Sequence, residues 1–149
     1  MPTPSDNTTP TDNTAKIWIQ LARSHQRILS AIEKSLKEAG LPALAWYDVL
    51  LELERVGANG IRPFELQEKL LLPQYGLSRL IERIEQAGLL ERQSCHEDGR
   101  GQRVFISQAG QAIRKKMWVI YGATLVQTVG EKLGESDQAR LAALLLQLR

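Results

Sequence analysis

The chain has 149 residues, of which 43% are hydrophobic, a formal net charge of +2 and a single cysteine. That size suits one compact domain, alone or with an oligomerisation arm. The lone Cys95 excludes an internal disulfide framework and fits a reducing, cytoplasmic setting; the two histidines are too far apart for a zinc site, and no apolar run approaches the roughly 18 residues of a membrane span.

Residues 1–13 are Pro, Thr, Ser, Asp and Asn with almost no bulky apolar side chain. They cannot bury enough surface to offset their ordering entropy, so a disordered tail is expected, and they lack the charged start and apolar core of a secretory signal. Helix one is predicted from residue 14 or 15 to just before Gly40. Ile17, Leu21, Ile28, Ile32 and Leu36 line one stripe of it, and Trp18, Ala22, His25 and Leu29 an adjacent one. Two stripes imply burial on two sides, one against its own domain and one against a partner chain.

Helix two is expected over 43–56, with Leu44, Tyr47, Leu50, Leu51 and Leu53 inward. Helix three opens on Pro63, tolerated in a first turn because that N–H has no helical partner, and runs to about residue 71. Helix four is predicted over 73–87, closed by Gly88. Residues 89–95 and 103–107 read as two strands around a polar turn, 96–102. Ser107 is placed to cap a fifth helix carrying Ile113, Met117, Ile120, Tyr121, Leu125, Val129 and Leu133. Ser136 is placed to cap a sixth, whose Leu141, Leu144, Leu145 and Leu148 stripe needs a surface to pack on. A second subunit is the natural candidate. No internal repeat is evident.

The segment from Ile61 to Ser107 thus reads helix, tight break, helix, hairpin. This is the plan of a winged helix-turn-helix, in a fold that is mainly α with a small β-hairpin wing. In helix four, Leu77, Leu80, Ile81 and Ile84 follow core spacing, which turns Gln74, Tyr75, Ser78, Arg79 and Glu82 outward. Those types suit a major groove: Gln can bond adenine, Arg can bond guanine bidentately, and Ser or Tyr can reach bases or phosphates. At the hairpin tip Arg100 stands between two glycines and can enter a narrow minor groove, Asp98 can brace the turn, and Arg103 begins the return strand within reach of phosphate. Arg83 completes the candidate DNA-binding set. The segment carries seven basic and seven acidic residues, so a basic patch must come from sorting charge onto faces, not from excess. Taken alone, an amphipathic helix with a solvated outer face is the commoner meaning of such a pattern.

The string Gly76-Leu77-Ser78-Arg79-Leu80-Ile81-Glu82-Arg83, continued to Leu89, the wing string Asp98-Gly99-Arg100, and Val104-Phe105-Ile106-Ser107-Gln108-Ala109-Gly110 resemble the MarR family of transcriptional regulators, and the likeness runs from about residue 15 to 148. The resemblance implies a homodimer held by helices in 14–40 and 108–149, with a winged domain at 41–107 on each half of a pseudo-palindromic operator in double-stranded DNA. It places Ser78 and Arg79 among DNA-contacting positions, Arg100 at the wing-tip arginine, and repression ahead of activation. Ile106-Ser107 stands where the family usually has Leu-Thr, and Gly101 where a Ser or charged residue is frequent.

The resemblance also implies a small-molecule effector, aromatic or anionic, bound between the dimer helices and the winged domain. Trp18, His25, Trp46 and Tyr47 are candidates to line that site, with Arg23 or Arg27 attracting an anion; aromatics at helical spacing are more often core. Cys95, beside His96, is favoured as an incidental thiol. No metal-ligand spacing, phosphate-cradling loop or nucleophile motif is present, so neither a cofactor nor catalysis is expected. The competing reading is a winged-helix protein-interaction module that binds no DNA.

Overall fold

A computed structural model describes residues 8–94 and 101–149. Helix α1 spans Asp12–Glu38, α2 Leu44–Val56, α3 Pro63–Lys69 and α4 Leu77–Gln86. Strands β1, Leu90–Ser94, and β2, Gln102–Ile106, pair antiparallel with Leu90 opposite Ile106 and Arg92 opposite Val104. Helix α5, Gln108–Leu125, continues through one wide turn at Val126–Gly130 into a break, and α6 runs Glu135–Leu146. The order and types of element match the sequence-based expectation. No helix among the described residues is long and apolar enough to cross a membrane.

Two apolar clusters hold the chain together. One joins Val49, Leu50 and Leu53 of α2 to Ile61, Leu66, Leu77, Leu80, Ile81, Ile84, Leu90 and Val104. The other joins Ile32 and Leu36 of α1 to Leu44, Tyr47 and Met117. Each fully buried Leu or Ile contributes about 1.5–3 kcal/mol relative to exposure. Helix α2 feeds both clusters from opposite faces, so it is the beam shared by the long helices and the winged unit. Its first turn is capped from outside: the Leu44 amide donates to Glu33 Oε1 of α1 at 2.8 Å, satisfying a donor with no partner in its own helix.

Several predicted boundaries are corrected. Helix α1 begins at Asp12, earlier than residue 14 or 15, because the Thr11 hydroxyl accepts the Thr14 amide at 3.1 Å and caps it there. The expected tail is therefore shorter than 1–13, and its residues 1–7 lie outside the described part. Helix α4 begins at Leu77, not residue 73; Gly76 precedes it with φ −164° and ψ 42°, outside helical space. Ser107 caps α5 as expected, accepting the Gly110 amide at 3.0 Å. Ser136 does not cap α6: the helix starts at Glu135 with Gly134 at its N-cap, two residues earlier, and Glu135 and Asp137 sit in its first turn, where negative charge is favoured.

The wing is clamped to the rest of the fold at both ends. Ile61 exchanges both backbone hydrogen bonds with Val104, at 3.1 and 2.8 Å, adding a single rung beside β2. At the start of α5 the chain passes so close to the wing that a Cβ on Gly110 would lie 2.1 Å from the Leu89 carbonyl oxygen. Only glycine fits that approach.

Candidate nucleic-acid interface

Helix α4 divides as its spacing predicts. Leu77, Leu80, Ile81 and Ile84 are buried, while Ser78, Arg79, Glu82 and Arg83 are exposed. Gln74 and Tyr75 are not on this helix face. They lie in the turn that precedes it, Tyr75 fully exposed and Gln74 half-buried. A shallow groove there is lined by Gln74, Tyr75, Ser78 and Arg79 together with Gln67 of α3. Gln67 was not among the sequence candidates; its position on the polar face of a short helix was its only signal.

The turn is held by a residue that sequence reasoning also passed over. Asp48 of α2 is buried, and its two carboxylate oxygens accept the backbone amides of Leu71 at 3.1 Å and Leu72 at 2.8 Å. Charge-assisted bonds of this kind are stronger than neutral ones. They fix where the chain leaves α3 and hence where α4 begins.

Some cations within and beside the neutral segment are taken up by internal pairing. Arg92 is 3.3 Å from Glu85, Arg55 bonds Glu52 at 2.7 Å, and Arg114 of α5 pairs with Glu54 of α2. Arg103, expected to reach phosphate, instead turns its Nη1 toward the Asn59 and Gly60 carbonyl oxygens, at 3.3 and 3.4 Å. Arg79 and Arg83 make no ion pair with any described residue, which leaves their donors available on the outer face of α4. Asp98, Arg100 and the Cys95-His96 pair lie outside the described residues.

The six candidate effector residues are not brought together in one chain. Tyr47 lines a cavity of about 630 Å³ between α2, the turn before α4 and α5, along with Asp48, Leu51, Leu72 and Tyr121. Trp46 packs against the winged core, and Trp18 is 71% exposed on α1. Arg23 and His25 are exposed on α1, and Arg27 lines a separate groove with Thr128 and Lys132. Beside the cavity stands an aromatic cluster. Tyr47 meets Tyr121 edge-on at 5.2 Å, and Trp118 lies 5.4 Å from Tyr121. Burial, then the neighbouring Tyr47 and Asp48, push the Tyr121 hydroxyl above the ordinary tyrosine value. The spacing of Trp118 and Tyr121, three residues apart on one helix, was the available sign of this wall.

These features define a winged helix-turn-helix protein flanked by long helices. Residues 39–101 match the MarR family. The fold is similar to a MarR family transcriptional regulator from Streptomyces coelicolor in complex with DNA (TM-score 0.83, 18% identity, 94% of this chain and 88% of that one). It is similar as well to wild-type MarR from E. coli in its apo form (TM-score 0.70, 25% identity, 86% and 93% covered) and to a mutant of that protein complexed with operator DNA (TM-score 0.77, 23% identity, 89% and 93% covered). No curated protein matches the sequence. The sequence match to the MarR family thus falls on the winged domain, residues 39–101.

Proposed function

We propose that the protein is a dimeric, sequence-specific DNA-binding transcription regulator, acting as a repressor in the cytoplasm and released from DNA by a small aromatic effector. The observation that carries this reading is the outer face of α4, where Ser78, Arg79 and Arg83 stand exposed and pair with no described residue while Arg92 and Arg103 of the wing are held by internal contacts. The DNA-bound relatives of the same fold support it. Tyr75 and Gln74 flank the entry of the helix and Gln67 borders the same groove, so α3 and α4 together would grip one half-site.

Dimerisation is supported by apolar side chains that the single chain leaves in water. Trp18 is 71% exposed, Ile17 54%, Leu144 57% and Leu148 64%. A second copy covering α1 and α6 would place two α4 helices one DNA turn apart, about 34–36 Å, on a pseudo-palindromic operator. The cavity beside Tyr47, Asp48 and Tyr121 supports the effector reading: it has an aromatic wall and lies against the turn that sets α4.

Duplex binding measured across a salt series tests the proposal. Phosphate contacts release counterions, so the association constant should fall steeply and log-linearly as salt rises. No duplex binding at low salt would overturn it and favour a winged-helix protein-interaction module.

A further inference from the structure

Resting on the DNA-binding reading, we propose that Glu82 is a specificity-determining residue of α4: its carboxylate reads the amino group of a cytosine in the base step beside the base taken by Arg79, and it penalises sites that lack one.

Glu82 is exposed on α4 and forms no ion pair or hydrogen bond with any described residue. That is notable because Arg79 lies three residues before it and Arg83 directly after it. Elsewhere in this chain the i,i+3 spacing does close into pairs, at Glu52–Arg55 and Asp137–Arg140. In both, the acid precedes the base, the orientation the helix dipole favours; at Arg79–Glu82 the order is reversed. The carboxylate is therefore left exposed between two guanidiniums that also pair with no described residue, on the face that would meet DNA.

Such a group has two consequences at a polyanion. It repels phosphate wherever the helix rests on random sequence, and it is left desolvated and unpaired in any groove that offers only acceptors. Cytosine N4 is the one major-groove donor that a carboxylate takes specifically, whereas adenine is better served by an amide. The spacing fits neighbouring bases: three helical residues rise about 4.5 Å, close to the roughly 3.4 Å step of a DNA strand. Ser78, Arg79 and Glu82, at i, i+1 and i+4, share one side of the helix. Discrimination then comes partly from a repulsive element and not only from attraction.

The test is selection from a random duplex library by the full chain and by its Glu82→Gln variant, with sequencing, and with binding of the selected site and a scrambled duplex measured in parallel. Glu82 is solvent-exposed and bonds to no described residue, so the variant should fold as the parent does. The expected result is a cytosine preference in the parent, next to the position governed by Arg79. The variant should lose it, with discrimination there falling roughly tenfold and binding to the scrambled duplex rising. Retention of the same cytosine preference by the variant overturns the assignment, as does a gain on all duplexes with the preference intact, which would reduce Glu82 to a general repulsive charge. If the parent binds no duplex or selects no sequence, the DNA-binding reading itself fails, an outcome distinct from normal selection by both proteins.

Discussion

Asp48 on α2 and Leu72 in the turn before α4 are 24 residues apart in sequence and joined by a 2.8 Å hydrogen bond from the Leu72 amide to the Asp48 carboxylate. With the companion bond to Leu71, this makes one buried side chain the anchor of the α3–α4 turn. Asp48→Ala should destabilise the fold by about 2–4 kcal/mol, since two amides lose a charged acceptor. Asp48→Asn, which keeps one oxygen, should lose less. Urea denaturation of both variants checks the order; equal stability of parent and Ala variant would refute it.

Gly110→Ala sets two effects against each other. Alanine is favoured over glycine within a helix by about 1 kcal/mol. Here, however, the new methyl would meet the Leu89 carbonyl at 2.1 Å and Ile106 at 2.8 Å, and one contact is backbone that cannot swing aside. Overpacking costs about 1–3 kcal/mol or more, so the variant should be net destabilised, with a lower thermal midpoint.

The raised pKa of Tyr121 gives a pH dependence of definite sign. Its folded-state value lies above the unfolded one, through burial first and then Tyr47 and Asp48. Below the ordinary tyrosine pKa, about 10, both states keep the proton and no stability is lost. As pH rises beyond that value the unfolded chain ionises first, so stability falls. Tyr121→Phe should remove from an absorbance titration a phenol that titrates above the ordinary tyrosine value, and flatten the alkaline loss of stability.

Arg79→Ala should leave the melting curve within about 0.5 kcal/mol of the parent, because the side chain is exposed and pairs with no described residue. Discrimination at one base position should drop by about 1–3 kcal/mol. Competition binding against single-base operator variants separates that outcome from a uniform loss, which would mark a phosphate contact instead.

Leu144→Glu probes the proposed dimer. In the single chain Leu144 is 57% exposed, so the monomer should fold unchanged. Sedimentation should show the dimer dissociating at concentrations where the parent remains associated. An unaltered dimer would place the interface away from this face of α6.

Much of the fold was legible because its signals are local. The Ser107 cap, the glycine after α4 and the Leu77/Leu80/Ile81/Ile84 spacing all act within one or two turns. The start of α4 was misplaced because Pro73 is an acceptable first-turn residue, whereas the constraint that keeps the turn open comes from Asp48, two helices away. Asp48, one of two acids inside the apolar run from Leu44 to Leu53, was the only sequence trace of that constraint. The inward contact of Arg103 was illegible for a similar reason: its partners are the carbonyls of Asn59 and Gly60, more than 40 residues earlier. The effector residues were gathered from two helices by type, while the cavity is assembled from four separated segments.

The wide turn at the end of α5 has a further consequence. There the Glu131 amide reaches back five residues to the Val126 carbonyl, at 2.7 Å, instead of four. That one additional residue advances everything after it by about 100° around the helix axis. The helix stops here, so this turn and the break at 131–134 together set the direction in which α6 leaves α5. A single deletion within 126–130 would alter no side chain of the winged unit, yet it would re-aim α6 like a gear slipped by one tooth. Small insertions and deletions at this turn are therefore a route by which related chains could exchange partners while keeping the same reading head.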